Sequence, residues 1–214
     1  MEKSVKCCYL VCAGEMKTPL CIEKKPFDKI IAVDGGLKRL RQAGIVPDLI
    51  AGDFDSLGFK PETGKLLCLP VEKDVTDSYA AAMAAADEGF ERIIIFGGTG
   101  GRTEHTFANV QLLAALAKRG VKGFLADDGR TLFVSDGGTT KIAARKSGYV
   151  SVFSLDTKCE GVTLKGLKYP LSGYTLTNEF PIGVSNEFIG QTAEIIVEKG
   201  VYLVVAECSP DDFS

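Results

Sequence analysis

The chain has 214 residues, of which 45% are hydrophobic and 25% are charged, and its formal net charge at pH 7 is -3. This much apolar material is enough for one large folded domain or two smaller ones, which excludes a disordered chain. The small net charge gives no general attraction to nucleic acid or to anionic lipid, so we expect small soluble molecules as partners.

The seven cysteines show neither paired metal-ligand spacing nor a two-residue-gapped redox pair. Such usage is typical of a reducing cytosol, so we predict a cytoplasmic protein. No apolar run in the sequence is long enough to span a bilayer. Lys3 and Lys6 before an apolar run at residues 7–13 imitate a secretory signal, but Glu15 follows at once and favours a buried first strand.

The first part of the chain alternates short apolar runs with helical patterns, which predicts a doubly wound α/β domain: a mostly parallel sheet with helices on both faces. In chain order, we predict strands at residues 5–13, 29–33, 49–51, 92–96, 121–126 and 131–134, and helices at residues 35–43, 77–88 and 105–118.

The pattern changes after Asp136-Gly137-Gly138, so we place the domain boundary after residue 135. No convincing helix follows, and short strands are predicted at residues 149–155, 162–164, 191–197 and 201–206. Residues 136–214 are therefore expected to form a smaller all-β domain, an antiparallel sandwich or barrel.

The segment Gly52-Asp53-Phe54-Asp55-Ser56 follows a predicted strand. In an extended chain the carboxylates of Asp53 and Asp55 point the same way and repel each other, by about 3 kcal/mol at about 5 Å and an effective dielectric constant of about 20. A cation between them would relieve this repulsion, and carboxylates at the end of a parallel strand suit Mg²⁺. A solvated acidic turn would produce the same five residues.

Other acidic residues occupy the neighbouring strand-to-helix connections. Asp74 and Asp77 precede the Ala-rich helix, where helix capping is the better interpretation on spacing alone. Asp34 begins Asp34-Gly35-Gly36, which is also an ordinary turn sequence. Because three successive connections carry Asp, and such loops lie along one edge of a doubly wound sheet, we predict one acidic site at that edge.

The fourth connection, residues 97–105, contains Gly100, Gly101, Arg102 and the single histidine, His105. Bare backbone amides, a helix N-terminus and a guanidinium group can converge there on a phosphate. The segment lacks the Gly-Lys-Ser/Thr ending of a P-loop. A tight turn that needs glycine, and a histidine that only fills a polar pocket, are the competing interpretations.

Taken in order, six segments resemble thiamine diphosphokinase (thiamin pyrophosphokinase) of the bacterial type over nearly the whole chain. They are Asp34-Gly35-Gly36, residues 52–56, residues 73–77, residues 101–105, Lys168-Tyr169-Pro170-Leu171 and Ser185-Asn186-Glu187-Phe188. The resemblance implies an α/β catalytic domain at residues 1–135 that binds ATP and Mg²⁺, a thiamine-binding β-sandwich at residues 136–214, and a homodimer. It also implies transfer of the diphosphate of ATP to the hydroxyethyl group of thiamine, with release of AMP.

By this resemblance, Asp53, Asp55 and Asp77 are the magnesium ligands and catalytic residues, with Asp74 beside them. The ATP-binding residues are Asp34, Gly100, Gly101, Arg102 and His105. Ser185 and Asn186 match the thiamine-pyrimidine site, which is expected to face the catalytic domain of the other subunit; from the residues alone they are better interpreted as a turn. Glu104 stands where the family usually has Asp.

Two rival functions remain open from the sequence. A diphosphokinase acting on a pterin alcohol would keep the aspartates without the Ser185-Asn186-Glu187-Phe188 segment. A non-catalytic thiamine sensor would use the second half alone, but it would have no use for Asp53, Asp55 and Asp77. In the enzyme, a carboxylate such as Asp77 is the candidate acceptor of the hydroxyl proton.

Overall fold

The computed structural model describes residues 5–52, 65–68 and 74–214, with the backbone alone at residues 65–68. The predicted magnesium ligands Asp53 and Asp55 therefore lie outside the described residues. The chain divides into two compact units, Met1–Asp128 and Gly129–Ser214. It is a mixed α/β protein rich in strands.

The described residues of the first unit form a parallel sheet and three helices. Its strands are β1 (Cys7–Val11), β2 (Lys29–Val33), β3 (Leu49–Gly52), β4 (Lys65–Cys68), β5 (Arg92–Phe96) and β6 (Lys122–Asp127), and its helices are α1 (Gly36–Gln42), α2 (Asp77–Asp87) and α3 (Thr103–Lys118). The strands lie in the order β6-β5-β1-β2-β3-β4, and neighbouring strands pair in parallel.

The central strands are buried on both faces, as their nearly continuous apolar sequences require. Only Tyr9 of β1 is partly exposed, and the three isoleucines of β5 are all buried. Val11, Ile30 and Ile50 come from three neighbouring strands and pack in one cluster with Leu37 and Leu40 of α1. This packing fixes the ends of the strands relative to one another. It therefore also sets where the following loops begin.

The strand order places a crevice at the carboxyl ends of β1 and β5. From β1 the chain moves to β2 on one side, whereas from β5 it moves through α3 to β6 on the other side. Loops that leave two adjacent parallel strands in opposite directions open a gap between them, and such switch points are where ligands bind in open α/β sheets.

The second unit is antiparallel, and its described residues contain no α-helix, as the sequence predicts. Its strands are β7 (Arg130–Ile142), β8 (Tyr149–Ser154), β9 (Lys158–Lys165), β10 (Leu171–Thr177), β11 (Asn186–Glu187) and β12 (Ala193–Ala206), followed by a single 3₁₀ turn at Pro210–Asp212.

Strand β12 is the centre of this unit. It pairs with β7 along its length, with β9 through its first half and with β8 through its second half. The register shifts between Val197 and Val201, opposite Gly137 and Gly138, which both have positive φ. The strands predicted at residues 191–197 and 201–206 are therefore one strand with a bulge.

The same bulge explains why the predicted boundary after residue 135 falls inside β7. A Gly-Gly pair normally indicates a turn, but here the glycines lie within the bulged ladder while the strand continues to Ile142. Strand β10 was also not predicted, because Ser172 and Gly173 interrupt the alternation of apolar and polar residues in its sequence. No helix among the described residues is long and apolar enough to cross a membrane.

Candidate active site

A cavity of about 420 Å³ lies in the first unit, at the carboxyl ends of β1, β2 and β5 and at the first turns of α2 and α3. Six predicted site residues line it: Asp34, Asp77, Gly100, Gly101, Arg102 and His105. Carboxylates therefore share one cavity with a guanidinium group and a glycine-rich loop. Cations and phosphates can both find partners in such an arrangement.

Other predicted site residues lie elsewhere. Asp74 is exposed, in a bend just before α2, and does not line the cavity. Ser185 and Asn186 belong to the second unit. Asp53 follows directly after β3, but both Asp53 and Asp55 lie outside the described residues.

Asp34 follows β2 in a left-handed backbone conformation, with φ 49°. Its N–H donates to the carbonyl oxygen of Ala51 at 2.9 Å, which ties the turn to the end of β3. A Cβ atom on Gly52 would lie 2.3 Å from Oδ1 of Asp34. The Asp34 carboxylate is therefore packed against the residue that precedes Asp53.

Asp77 is the first residue of α2, and Thr76 is the N-cap. The Thr76 hydroxyl accepts a hydrogen bond from the N–H of Tyr79 at 3.2 Å, so capping is the work of Thr76. Asp77 benefits from the helix dipole and at the same time presents a lining group to the cavity. The capping interpretation therefore applies to Thr76, and the site interpretation applies to its neighbour Asp77.

The glycine-rich loop after β5 is held by Asp127 at the end of β6. The Asp127 carboxylate accepts from the N–H of Gly97 at 2.6 Å, from the N–H of Thr99 at 2.9 Å and from the Thr99 hydroxyl at 2.7 Å. Gly97, Gly100 and Gly101 all have positive φ, which side chains other than glycine rarely adopt. The loop thus has a defined conformation before any ligand binds.

Sequence reasoning missed a second loop of the cavity, residues 12–15 after β1. The N–H of Gly14 donates to the carbonyl of Gly97 at 3.0 Å, and a Cβ atom on Gly14 would lie 2.4 Å from that oxygen. The two loops therefore interlock through backbone that leaves no room for a side chain. A glycine directly after a strand at the switch point was the available signal.

Arg102 stands at the N-cap of α3 and makes no side-chain capping bond. Its Nε donates to Oε1 of Glu104 at 2.7 Å, so the carboxylate of the longer Glu104 side chain binds Arg102. A hydrogen bond from its own backbone N–H, followed by the Arg102 guanidinium, lowers the pKa of Glu104. Glu104 therefore stays ionised near neutral pH and orients Arg102 at the start of the helix.

Carboxylates lie near Cys12, which lines the cavity. Burial raises the pKa of the Cys12 thiol from 9.0 to about 12, with further contributions from the charges of Asp34, Asp127 and Asp77. Such carboxylates favour cations. Among the described residues, no group of three or more His, Cys, Asp or Glu side chains is placed to hold a metal ion.

Asn109 is a further cavity residue that sequence reasoning missed. It lies on the buried face of α3 with Leu112, Leu113 and Leu116 and is only 5% exposed. A polar residue in an apolar helical stripe must find hydrogen-bond partners, and this was the signal in the sequence.

In the second unit, Asn186 is buried, and its side chain brackets the backbone of Tyr169. Oδ1 accepts from the N–H of Tyr169 at 2.9 Å, and Nδ2 donates to the Tyr169 carbonyl at 2.6 Å. Ser185 is exposed with φ 57°, and its N–H donates to the Ser151 hydroxyl at 2.9 Å. Ser185 ends a turn, as its composition predicts, whereas Asn186 begins β11, where the turn interpretation is wrong. The Asn186 side chain fixes a neighbouring segment.

Comparisons with known proteins agree across both units. The family model described as thiamin pyrophosphokinase, catalytic domain, matches residues 23–125, and the model described as thiamin pyrophosphokinase, vitamin B1 binding domain, matches residues 139–202. Thiamine pyrophosphokinase of Bacillus subtilis (strain 168) is 31% identical over 182 residues, which cover 82% of this chain and 85% of that protein.

Solved structures lead to the same family. A crystal structure of thiamine pyrophosphokinase from Bacillus subtilis superposes with a TM-score of 0.85 at 27% identity, covering 95% of this chain and 99% of that one. For the protein from Geobacillus thermodenitrificans the TM-score is 0.83 at 27% identity, with coverage of 96% and 99%. With matches over both units and nearly the full length of these relatives, the chain belongs to the thiamin pyrophosphokinase family.

Proposed function

We propose that this enzyme transfers the diphosphate group of ATP to the hydroxyethyl group of thiamine and releases AMP, using the cavity of the first unit. The observation that carries the proposal is the placement of Asp34 and Asp77 in one cavity with Arg102, His105 and the glycine-rich loop. The phosphates of ATP need cationic groups and backbone amides, whereas the metal ion and a cationic second substrate need carboxylates.

The phosphates of ATP are assigned to the glycine-rich loop, to Arg102 and His105, and to the first turn of α3. Helix N-termini attract anions through their free amides and the helix dipole. Arg102 adds a planar set of donors that suits phosphate oxygens. Asp127 supports the site indirectly, because it fixes the loop conformation through Gly97 and Thr99.

Mg²⁺ is assigned to Asp53, Asp55 and Asp77, with Asp74 nearby and Asp34 on the ATP side. The donor chemistry of the described residues fits this ion, because Asp34 and Asp77 supply hard carboxylate oxygens to the cavity. Mg²⁺ usually takes one or two carboxylates and completes its shell with water and substrate phosphate. When bound, the ion supplies neutralisation of phosphate charge during the transfer.

The reaction follows from these assignments. The thiamine hydroxyl oxygen attacks the β-phosphorus of ATP, and the bond from that phosphorus to the oxygen bridging the α- and β-phosphates breaks, so AMP leaves. The hydroxyl proton passes to a carboxylate, for which Asp77 is our candidate. Arg102 and the loop amides hold the phosphates in line, and this positioning supplies most of the rate enhancement.

Thiamine binding is assigned to the second unit through Ser185 and Asn186. Both polar atoms of the Asn186 side chain bond to the backbone of Tyr169, so we assign Asn186 the role of shaping this surface. The thiazolium ring of thiamine is a permanent cation, and the carboxylates of the cavity favour its approach.

We also propose the finer architecture and assembly. A doubly wound first domain is supported by the strand order. With the right-handed crossovers that are usual between parallel strands, α1 would lie on one face of the sheet and α2 and α3 on the other. A β-sandwich is supported by β12, whose bulge lets one strand serve β9 and β8. We place the domain boundary near the start of β7 and propose a cytoplasmic homodimer with its active site at the subunit interface.

The test is incubation of the purified protein with ATP, Mg²⁺ and thiamine, with separation of the nucleotides and thiamine phosphates. We expect AMP and thiamine diphosphate in equal amounts. Release of ADP with thiamine monophosphate would contradict diphosphate transfer. Thiamine binding without any nucleotide turnover would instead favour the sensor.

A further inference from the structure

The strongest unexplained feature of the first unit is a chain of hydrogen bonds that crosses the floor of the cavity. The Ser78 hydroxyl donates to Oδ1 of Asn109 at 2.8 Å, and Nδ2 of Asn109 donates to the carbonyl oxygen of Gly98 at 2.7 Å. Thr76 joins the chain, with its hydroxyl oxygen 3.1 Å from that of Ser78. The start of α2, the middle of α3 and the glycine-rich loop are thus connected through one side chain.

The direction of each bond follows from the chemistry of the groups. The carbonyl of Gly98 only accepts, so the amide nitrogen of Asn109 must face it and the amide oxygen must face Ser78. Ser78 has a single hydroxyl proton and gives it to Asn109, so the Thr76 hydroxyl donates to Ser78. Only a side chain with one donor and one acceptor at these positions satisfies both neighbours, and Asn109 has both.

Burial makes the connection rigid. Ser78 is 8% exposed and Asn109 is 5% exposed, so neither group exchanges its partners freely with water. Gly98 has no room for a side chain on the side of the sheet, because a Cβ atom there would lie 2.8 Å from Cδ2 of Leu125 and 3.2 Å from Cγ2 of Ile95. The loop is therefore packed against the sheet and held by Asn109 from the helix side.

We propose that Asn109 is a positioning residue that sets the distance between the Asp77 carboxylate and the phosphate-binding loop. Ser78 follows Asp77 directly, so a bond that fixes Ser78 also fixes the first turn of α2. The Asn109 amide therefore links the residue that faces the metal ion to the loop that faces the phosphates. This inference rests on the proposed assignment of both groups to ATP and its magnesium ion.

The test separates the two halves of the link. Asn109→Leu keeps a similar volume and removes both bonds, whereas Ser78→Ala removes only the bond to α2. Gln111→Ala, on the exposed side of α3, is the matched control. For each variant we would measure ATP binding by calorimetry without metal ion, the Mg²⁺ concentration that gives half-maximal AMP formation, and the KM values for ATP and thiamine.

We expect Asn109→Leu to weaken metal-free ATP binding by about fivefold, since it loses the bond to the glycine-rich loop and a neutral hydrogen bond contributes about 1 kcal/mol. Ser78→Ala should leave metal-free ATP binding within about twofold and raise the half-maximal Mg²⁺ concentration by about fivefold, the loss of one such bond. The double variant should be no worse than Asn109→Leu, because one side chain carries both bonds. The KM for thiamine and all values for Gln111→Ala should stay unchanged.

Two results would overturn the inference. One is an Asn109→Leu protein that melts at a lower temperature but keeps its ATP affinity and Mg²⁺ requirement, which would make Asn109 a packing residue. The other is a double variant in which the fold-losses of the two single variants multiply. A wild-type protein that binds ATP but forms no AMP would contradict the proposed function instead, and ATP affinity alone would then decide the role of Asn109. Failure of the wild type to bind ATP would overturn both.

Discussion

The Asp34 carboxylate packs against Gly52, at the start of the next acidic connection. Asp34 adopts φ 49°, a conformation that costs an ordinary side chain about 1 kcal/mol and that Asp tolerates better than most residues. Its carboxylate occupies the space where a side chain at residue 52 would lie. Strain of this kind is found at sites that bind ligands, where it presets the direction of a functional group.

Substitution of Gly52 by alanine should displace the Asp34 carboxylate, because the new methyl group would lie 2.3 Å from Oδ1. We expect kcat/KM for AMP formation to fall by about a hundredfold, the usual cost of a displacement of about 1 Å in an active site. Gly44→Ala is the control, because Gly44 also has positive φ, at 70°, but has no atom within 4 Å of the new methyl. Equal activity in the two variants would show that the Asp34 position does not matter.

The charge of Asp77 can be tested without changing its size. Asp77→Asn should lower kcat by about a hundredfold or more, since it removes a carboxylate from the proposed metal and proton-acceptor position. Asp87→Asn, at the other end of the same helix, should leave kcat unchanged. Circular dichroism would establish that both variants fold. Normal turnover in Asp77→Asn would exclude Asp77 as a metal ligand and proton acceptor.

The substitutions Asp53→Asn and Asp55→Asn should each abolish AMP formation.

At the residue scale, position after a strand was the useful signal. Asp34, Asp77 and Arg102 could be predicted because each lies in a connection at the carboxyl edge of the sheet. Asp127 could not, because its role depends on Gly97 and Thr99, about 30 residues earlier in the chain. A single sequence carries no signal for a contact between two residues so far apart.

Among the elements, the end of β6 holds the glycine-rich loop and the segment that continues from β1. Asp127 holds the glycine-rich loop, and Asp128 accepts from the N–H groups of Lys17 and Thr18 at 2.7 Å and 2.9 Å, in the segment that continues from β1. The N–H of Thr18 and then that of Lys17 keep the pKa of Asp128 below its usual value. Two adjacent carboxylates therefore fix two different loops.

This arrangement gives a matched pair of substitutions. Asp127→Asn replaces one acceptor oxygen by an NH₂ group that faces N–H donors, so we expect the glycine-rich loop to shift and the KM for ATP to rise by about tenfold. Asp128→Asn should change the KM for ATP by less than about twofold, because it holds only residues 17 and 18. Steady-state kinetics would decide. Equal KM values in both variants would mean that loop position is not set by Asp127.

Strands with regular patterns were predictable, whereas interrupted ones were not. The runs at β2 and β5 have the predicted bounds, because they are short, apolar and followed by turns. The strand predicted for β7 ended before Gly137 and Gly138, because glycine in a bulge looks the same in sequence as glycine in a turn. The register that distinguishes the two is set by β12, more than 50 residues later.

The whole molecule offers a test of assembly. If each active site combines the first unit of one subunit with the second unit of its partner, then Asp77→Asn and Asn186→Asp are defects in different halves of a site. Equal mixing of the two inactive proteins after unfolding and refolding should restore about a quarter of wild-type AMP formation, since half of the dimers are mixed and one of their two sites is intact.

The control for this experiment is Asp77→Asn mixed with Arg102→Ala, where both changes lie in the first unit and no intact site can form. Restoration in that control, or its absence in the first mixture, would contradict a shared active site. Sedimentation or light scattering of the wild type should give twice the chain mass of 22.9 kDa.

Strand β12 also has a consequence for how the protein is made. Leu132 to Ile142 of β7 find their partners only at residues 193–205, so the ribosome must synthesise more than 50 further residues before this ladder can close. Until then β7 has an open edge, which in a nascent chain invites pairing with other molecules. Production at low temperature or with chaperones should therefore raise the yield of soluble protein.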